Sequence, residues 1–110
     1  MTSRKLKVIW TAVAASDLEN IAIYLMDESP LRAASIVDRI ALRAESLANF
    51  PGRGRIPPEL RTIGDETWRE LQEPPWRIVY RRLDEVVQIH AVLDGRRSLE
   101  DILIERVLKA

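Results

Sequence analysis

The sequence predicts an α+β fold: an N-terminal strand, an antiparallel helical hairpin, a three-stranded antiparallel meander and a C-terminal helix. Three observations carry this. Apolar residues recur at helical spacing from Ala14 to Ala48, then at every second position from Trp68 to Leu93. The two helical stretches are joined by about two residues, so they must run antiparallel. The 110 residues, 46% hydrophobic and 31% charged, make a single domain spanning 1–110. A chain of this length buries roughly two-thirds of its unfolded surface without a disulfide or metal staple.

Leu6 to Trp10 is a short β-favouring run that stops at Thr11, a helix N-cap. Ala14, Leu18, Ile21, Ala22 and Leu25 form one face of the first helix, with Asp17, Glu19 and Asn20 turned away, and the helix ends near Asp27. Ser29-Pro30 is an N-cap followed by proline at the first helical position. Ala33, Val37, Ile40, Ala41, Ala44, Leu47 and Ala48 form the stripe of the second helix, which Pro51-Gly52 end. The alanines allow the two helices to approach closely.

Pro51 to Asp65 contains three prolines and three glycines without periodicity and reads as an ordered loop. Trp68 to Glu73 is a strand, and Pro74-Pro75 a turn. Trp76, Ile78 and Tyr80 alternate with Arg77, Val79 and Arg81 in the next strand. A turn at Leu83-Asp84-Glu85 leads to the last strand, where Val87, Ile89, Ala91 and Leu93 alternate with Val86, Gln88, His90 and Val92. Asp94-Gly95 ends it, and Ser98 caps a final helix bearing Leu99, Ile102, Leu103 and Leu108. A helical hairpin on one face of a small sheet accommodates this order, with the first strand pairing most simply with the last.

Composition removes several chemistries. With no cysteine, the chain has no disulfides, thiolate zinc sites or cysteine nucleophiles. One histidine, His90, argues against multi-histidine metal sites and a histidine-centred triad. No phosphate loop, H-E-x-x-H, EF-hand or nucleophile elbow is present, and no cofactor or metal is expected. The apolar run before Ala12-Val13-Ala14 is too short for a signal peptide, and the longest uncharged run, Val8 to Ser16, cannot span a bilayer. A cytoplasmic location is expected.

What remains is arginine. The 17 basic residues comprise fourteen arginines and three lysines, balanced by 17 acidic residues. A net charge of zero argues against a general nucleic-acid binder, whose affinity draws on phosphate neutralisation. Nine arginines lie between Arg53 and Arg97, among eight acidic residues. Arg77 and Arg81 share a strand face, with Arg69 and Arg97 within reach from neighbouring strands. Two readings stand: an open cationic surface for a partner, or a solvated face of weak surface ion pairs, which composition favours. His90 reads as a partly exposed structural residue, with a general base the minor alternative. Trp10, Trp68 and Trp76 read as core or core edge.

The ordered set Phe50-Pro51-Gly52-Arg53-Gly54-Arg55, Pro58-Glu59-Leu60, Trp68-Arg69-Glu70-Leu71, Trp76-Arg77-Ile78-Val79-Tyr80-Arg81 and Val92-Leu93-Asp94-Gly95-Arg96-Arg97 resembles the RelE/ParE superfamily of toxins from bacterial type II toxin–antitoxin pairs. The resemblance runs from Trp10 to the last helix. It implies a partner antitoxin whose C-terminal segment wraps the toxin. It also implies one of two activities: ribosome-dependent mRNA cleavage in RelE-like members, or inhibition of DNA gyrase in ParE-like members.

Arg77 matches the arginine of the RelE-like Y-R-L-V-Y strand, and Arg97 the arginine after the last strand. Where RelE-like enzymes carry a C-terminal tyrosine, the alignment gives Leu103. The loop's paired lysines are replaced by Arg53 and Arg55, poor proton donors. With the neutral charge, these departures point to the ParE-like branch, a gyrase inhibitor that is not an enzyme. Its target-binding candidates are Arg69, Arg77, Arg81, Arg96 and Arg97. The alternatives are a RelE-like endoribonuclease using Arg77 and Arg97 with Glu59 or His90 as base, and a detoxified relative that only binds the antitoxin.

Overall fold

The computed structural model describes residues 5–61, 64 and 66–95. Its elements are β1 (Lys7–Trp10), α1 (Ala12–Met26), α2 (Pro30–Glu45), a 3₁₀ turn (Ser46–Ala48), α3 (Pro58–Arg61), β2 (Trp68–Glu73), β3 (Trp76–Leu83) and β4 (Val86–Asp94). The strands form one mixed sheet in the order β1-β4-β3-β2. β1 lies parallel to β4, with Val8 opposite Val87 and Trp10 opposite Ile89, as the sequence order suggests. β2, β3 and β4 form the antiparallel meander. The final helix from Ser98, with Leu99, Ile102, Leu103 and Leu108, lies outside the described residues.

Local chemistry sets the helix starts. The Thr11 hydroxyl accepts the Ala14 amide at 3.1 Å, and the Ser29 hydroxyl accepts that of Arg32 at 3.3 Å. Each satisfies one amide that helix geometry leaves unpaired. Pro30 opens α2, where its missing N–H costs nothing. Ala14, Ala33 and Ala44 are buried in the main core, so α1, α2 and the sheet close tightly. The buried face of α2 runs through Ile36, with Val37 only half-buried, a small rotation from the stripe read in the sequence.

The sheet is buried on both faces. Trp76, Ile78, Tyr80, Val87, Ile89 and Val92 meet the helical hairpin, together with Leu47 and Leu71. On the other face Trp68, Val79, Ala91 and Leu93 pack with Leu60 of α3. The sequence expectation put Ala91 and Leu93 on the same face as Val87 and Ile89. A β-bulge overturns it: Tyr80 pairs with Ile89 but Val79 pairs with Ala91, leaving His90 as the extra residue. One inserted residue shifts the two-residue period by one and exchanges the faces beyond it.

The bulge also explains Asp17, which the periodicity turned towards solvent. Its carboxylate accepts the backbone N–H of Val92 at 3.0 Å, tying α1 to β4 just past the irregularity. A helix side chain thereby serves a strand amide, as buried polar groups require.

The core generates a direct prediction. Ile40, Leu47, Ile78 and Ile89 are fully buried, so truncating each to alanine is expected to lower stability by about 2–5 kcal/mol. Leu18 is only partly buried against the same cluster, so its truncation costs less. Urea unfolding, compared at unchanged slope, measures both.

Candidate functional site

The site is organised by Arg77 on β3. Its register partner on β2 is Gln72, and Glu70 lies two positions further along, opposite Val79. Alternation puts Arg77 and Glu70 on one face as diagonal neighbours, within reach for long side chains. Arg77 Nε donates to Glu70 Oε1 at 2.6 Å, and Nη2 to Oε2 at 3.1 Å. From α3, Glu59 takes the outer side of the same guanidinium: Nη1 donates to Oε2 at 2.6 Å and Nη2 to Oε1 at 2.7 Å. One planar fork thus holds two carboxylates, a geometry that lysine does not offer.

The loop before α3 joins the cluster through the backbone. Arg55 and Glu70 form an isolated antiparallel bridge, with amides donating in both directions at 3.0 and 2.7 Å. This sets the Arg55 guanidinium beside Glu70, with Nε donating to Oε2 at 3.2 Å. Tyr80 steadies the loop from the sheet's other face. Its hydroxyl donates to the Pro51 carbonyl at 2.8 Å and accepts the Gly54 amide at 3.0 Å. Gly54 is required by this close approach, since a Cβ would sit 2.8 Å from the Tyr80 hydroxyl and against the Glu70 carbonyl. Gly95 is similarly constrained: a Cβ there would meet Arg77 Cγ and the Pro75 carbonyl oxygen at 3.0 Å.

The electrostatics are those of a closed set. Hydrogen bonding from Arg77 holds the Glu59 carboxyl below its usual range, against the opposing effect of burial. The bonds from Glu59, and then those from Glu70, raise Arg77 further above its already high value. Burial pushes the Tyr80 hydroxyl up. His90 lies edge-on to Trp68, with ring centroids 4.6 Å apart, and its Nε2 is 2.9 Å from Gln88 Oε1. Burial first, then the Arg81 charge, pushes its pKa down to about 4. The ring is therefore neutral at physiological pH.

The candidate residues do not form one open cationic face. Arg77 is 8% exposed and engaged by two carboxylates. Arg81 stacks on Trp68, with its guanidinium carbon 4.8 Å from a ring centroid. Arg69, on the hairpin side, donates to the Gly54 carbonyl at 2.9 Å. Arg96 and Arg97 lie outside the described residues. Glu59 and Arg77 are brought together and His90 stands apart on the bulge. The surface-ion-pair reading fails for a physical reason: α3, hidden in the proline-rich loop, covers the face on which Arg77 lies. Glu70 was missed because a glutamate in a strand reads as solvent-facing. Its place on the face shared with Arg77 was the available signal. Arg55, Glu59, Gln72, Trp76 and Arg77 line a cleft of about 400 Å³ with three prolines and Gly95. Among the described residues, no group of three or more histidine, aspartate or glutamate side chains is placed to hold a metal.

Two solved structures share this fold. The chromosomal ParDE toxin–antitoxin system from P. aeruginosa aligns with a TM-score of 0.66 at 23% identity, covering 84% of this chain and 98% of that chain. The RelBE2 toxin–antitoxin complex from Mycobacterium tuberculosis aligns with a TM-score of 0.57 at 23% identity, covering 84% and 94%. Both share with this chain the α+β architecture of helices on a four-stranded mixed sheet. Toxin RelE2 of Caulobacter vibrioides is 38% identical over 92 residues, covering 83% of this chain and 97% of that protein. Residues 8–99 match the family described as the ParE toxin of the type II toxin–antitoxin system parDE, and the chain belongs to that family.

Two predictions come from the site. Glu70 has no side-chain exposure and is the acceptor for Arg77 Nε, so Glu70→Ala leaves that buried donor unpaired and is expected to cost about 1–3 kcal/mol in denaturant unfolding. Glu59→Ala costs less, because Arg77 retains Glu70. For His90, the unfolded ring titrates near 6.5 and the folded ring near 4. Its contribution to stability is therefore complete above pH 6.5 and is lost as pH falls through the folded value. Between pH 7 and pH 5 the wild type is expected to lose about 1–2 kcal/mol more stability than His90→Gln, measured by urea unfolding at both values.

Proposed function

We propose that the chain is a cytoplasmic ParE-like toxin that acts by binding DNA gyrase and is neutralised by a cognate antitoxin. The state of the Arg77 cluster carries this reading. RNA cleavage must take a proton from the 2′-hydroxyl and deliver one to the leaving 5′-oxygen, which calls for groups that titrate near neutral pH. The carboxylate of Glu59 is held low by its hydrogen bonds from Arg77, the Arg77 guanidinium stays charged, and the Tyr80 hydroxyl, on the sheet's other face, is raised by burial. His90 titrates near 4. The neutral net charge also fits a protein target better than ribosomal RNA. A gyrase inhibitor needs only to bind and hold a conformational state.

For the antitoxin, the hairpin offers a suitable face. Val13, Ile23 and Met26 of α1 and Leu31 of α2 are exposed, and α1 contains no basic residue. An amphipathic helix with basic flanks complements that surface, and the outer edge of β1 can take an added strand. Such wrapping buries more than a standard interface of roughly 1,600 Å². The solved ParDE and RelBE2 structures, titled as toxin–antitoxin assemblies, support a partner of this kind.

One observation favours a second reading, ribosome-dependent mRNA cleavage: the 38% identical relative is named Toxin RelE2. The purified protein decides between them. Inhibition of gyrase supercoiling or trapping of cleaved DNA, with mRNA intact on programmed ribosomes, is the expected outcome. Cleavage in the A-site codon, with gyrase unaffected, overturns the gyrase reading in favour of the second.

A further inference from the structure

The two carboxylates on Arg77 are not equivalent. Glu70 is fixed in β2, has no side-chain exposure and is shared with Arg55. Glu59 stands on the one-turn helix α3, and its side chain is 20% exposed at the mouth of the cleft. The Glu70 contacts occupy Arg77 Nε and one Nη2 position. The Glu59 contacts occupy the two outward-facing Nη positions, the side of the fork that opens to the cleft. If Glu59 turns into water, Arg77 keeps a buried counterion, so its charge is not stranded. Without Glu59, the cluster of Arg55, Arg77 and Glu70 has a net charge of +1, facing a cleft of about 400 Å³.

We infer that the outer side of the Arg77 fork is a binding site for an acidic side chain of a protein partner, and that Glu59 is its internal occupant in the free chain. A carboxylate matches the planar two-point geometry that Glu59 already displays. The walls from Pro58, Pro75 and Trp76 suit the apolar stem of a glutamate or aspartate. Glu70, fixed behind the fork, disfavours a dianion or a run of phosphates. An internal competitor lowers the apparent affinity for any external carboxylate by the fraction of time it holds the site. The partner's acid must therefore arrive on a segment already held elsewhere, which makes the site a check on partner identity. The inference is independent of the choice between gyrase and ribosome.

The test follows the Arg77 Nε resonance in arginine-labelled full-length protein, assigned by its loss in Arg77→Lys. Acetate is the probe, with chloride at matched ionic strength as control and inorganic phosphate as the second anion. In Glu59→Ala, acetate is expected to shift the resonance saturably at a concentration at least tenfold lower than in the wild type, with chloride ineffective and phosphate no tighter than acetate. Glu59→Gln, which keeps hydrogen bonding but removes the charge, should fall between the two. Equal acetate response in wild type and Glu59→Ala, reproduction of the shift by chloride, or tighter binding of phosphate overturns the assignment. Failure of both Glu59 variants to fold also overturns it, since Glu59 is then a structural counterion.

Discussion

The ion pair between Arg77 and Glu70 is the constraint around which one whole face of this protein is arranged. Both groups lie on a sheet face that also buries Trp68, Val79, Ala91 and Leu93. Charges in such surroundings persist only when paired and hydrogen-bonded. Glu70 meets this requirement with two arginines, one from its neighbouring strand and one from the loop that bridges to its own backbone. The loop is thereby held along β2, and α3 follows it onto the face, bringing Leu60 into the second core and Glu59 onto Arg77. Strand pairing, loop path and helix placement on this side form a single charge-neutral unit.

The opposite face rests on a different force. There the hairpin buries an aliphatic and aromatic core through alanine-lined contacts, and polar groups intervene only at defined points. Tyr80 and Arg69 couple these halves, and Asp17 ties the hairpin to the sheet. Tyr80 packs among the hairpin residues yet fixes Pro51 and Gly54 of the loop through its hydroxyl. Asp17 leaves α1 to cap a β4 amide beside the bulge. The bulge allows one strand to supply Val87, Ile89 and Val92 to the hairpin core and Ala91 and Leu93 to the other, so a small sheet has both faces filled.

These features bear on function through what is left at the surface. The basic side chains that composition marks out are mostly spent on internal contacts: Arg77 on carboxylates, Arg81 on an indole ring, Arg69 on a loop carbonyl. The hairpin exposes large apolar side chains, among them Val13, Ile23, Met26 and Leu31, with acidic rather than basic neighbours in α1. A surface of that kind suits protein partners, in keeping with membership of a toxin–antitoxin family.

Much of this was legible in the chain. The helical hairpin follows from period, a Thr11 cap and the Ser29-Pro30 start, all local signals that act before any tertiary contact forms. The β2 and β3 boundaries follow from two-residue alternation between turn residues, and Arg77 stands out by its place in the strand motif. Four things were decided only by the tertiary structure: the bulge at His90, the helix at Pro58–Arg61, the burial of Glu70 and the pairing of Glu59 with Arg77. Each depends on a partner distant in sequence. A four-residue helix has no period to read, and a bulge appears only when two strands are set in register. A glutamate reveals its burial only when the arginine that compensates it is in place. Local signals determine which elements form, while the matching of charges and faces across elements determines what the site becomes.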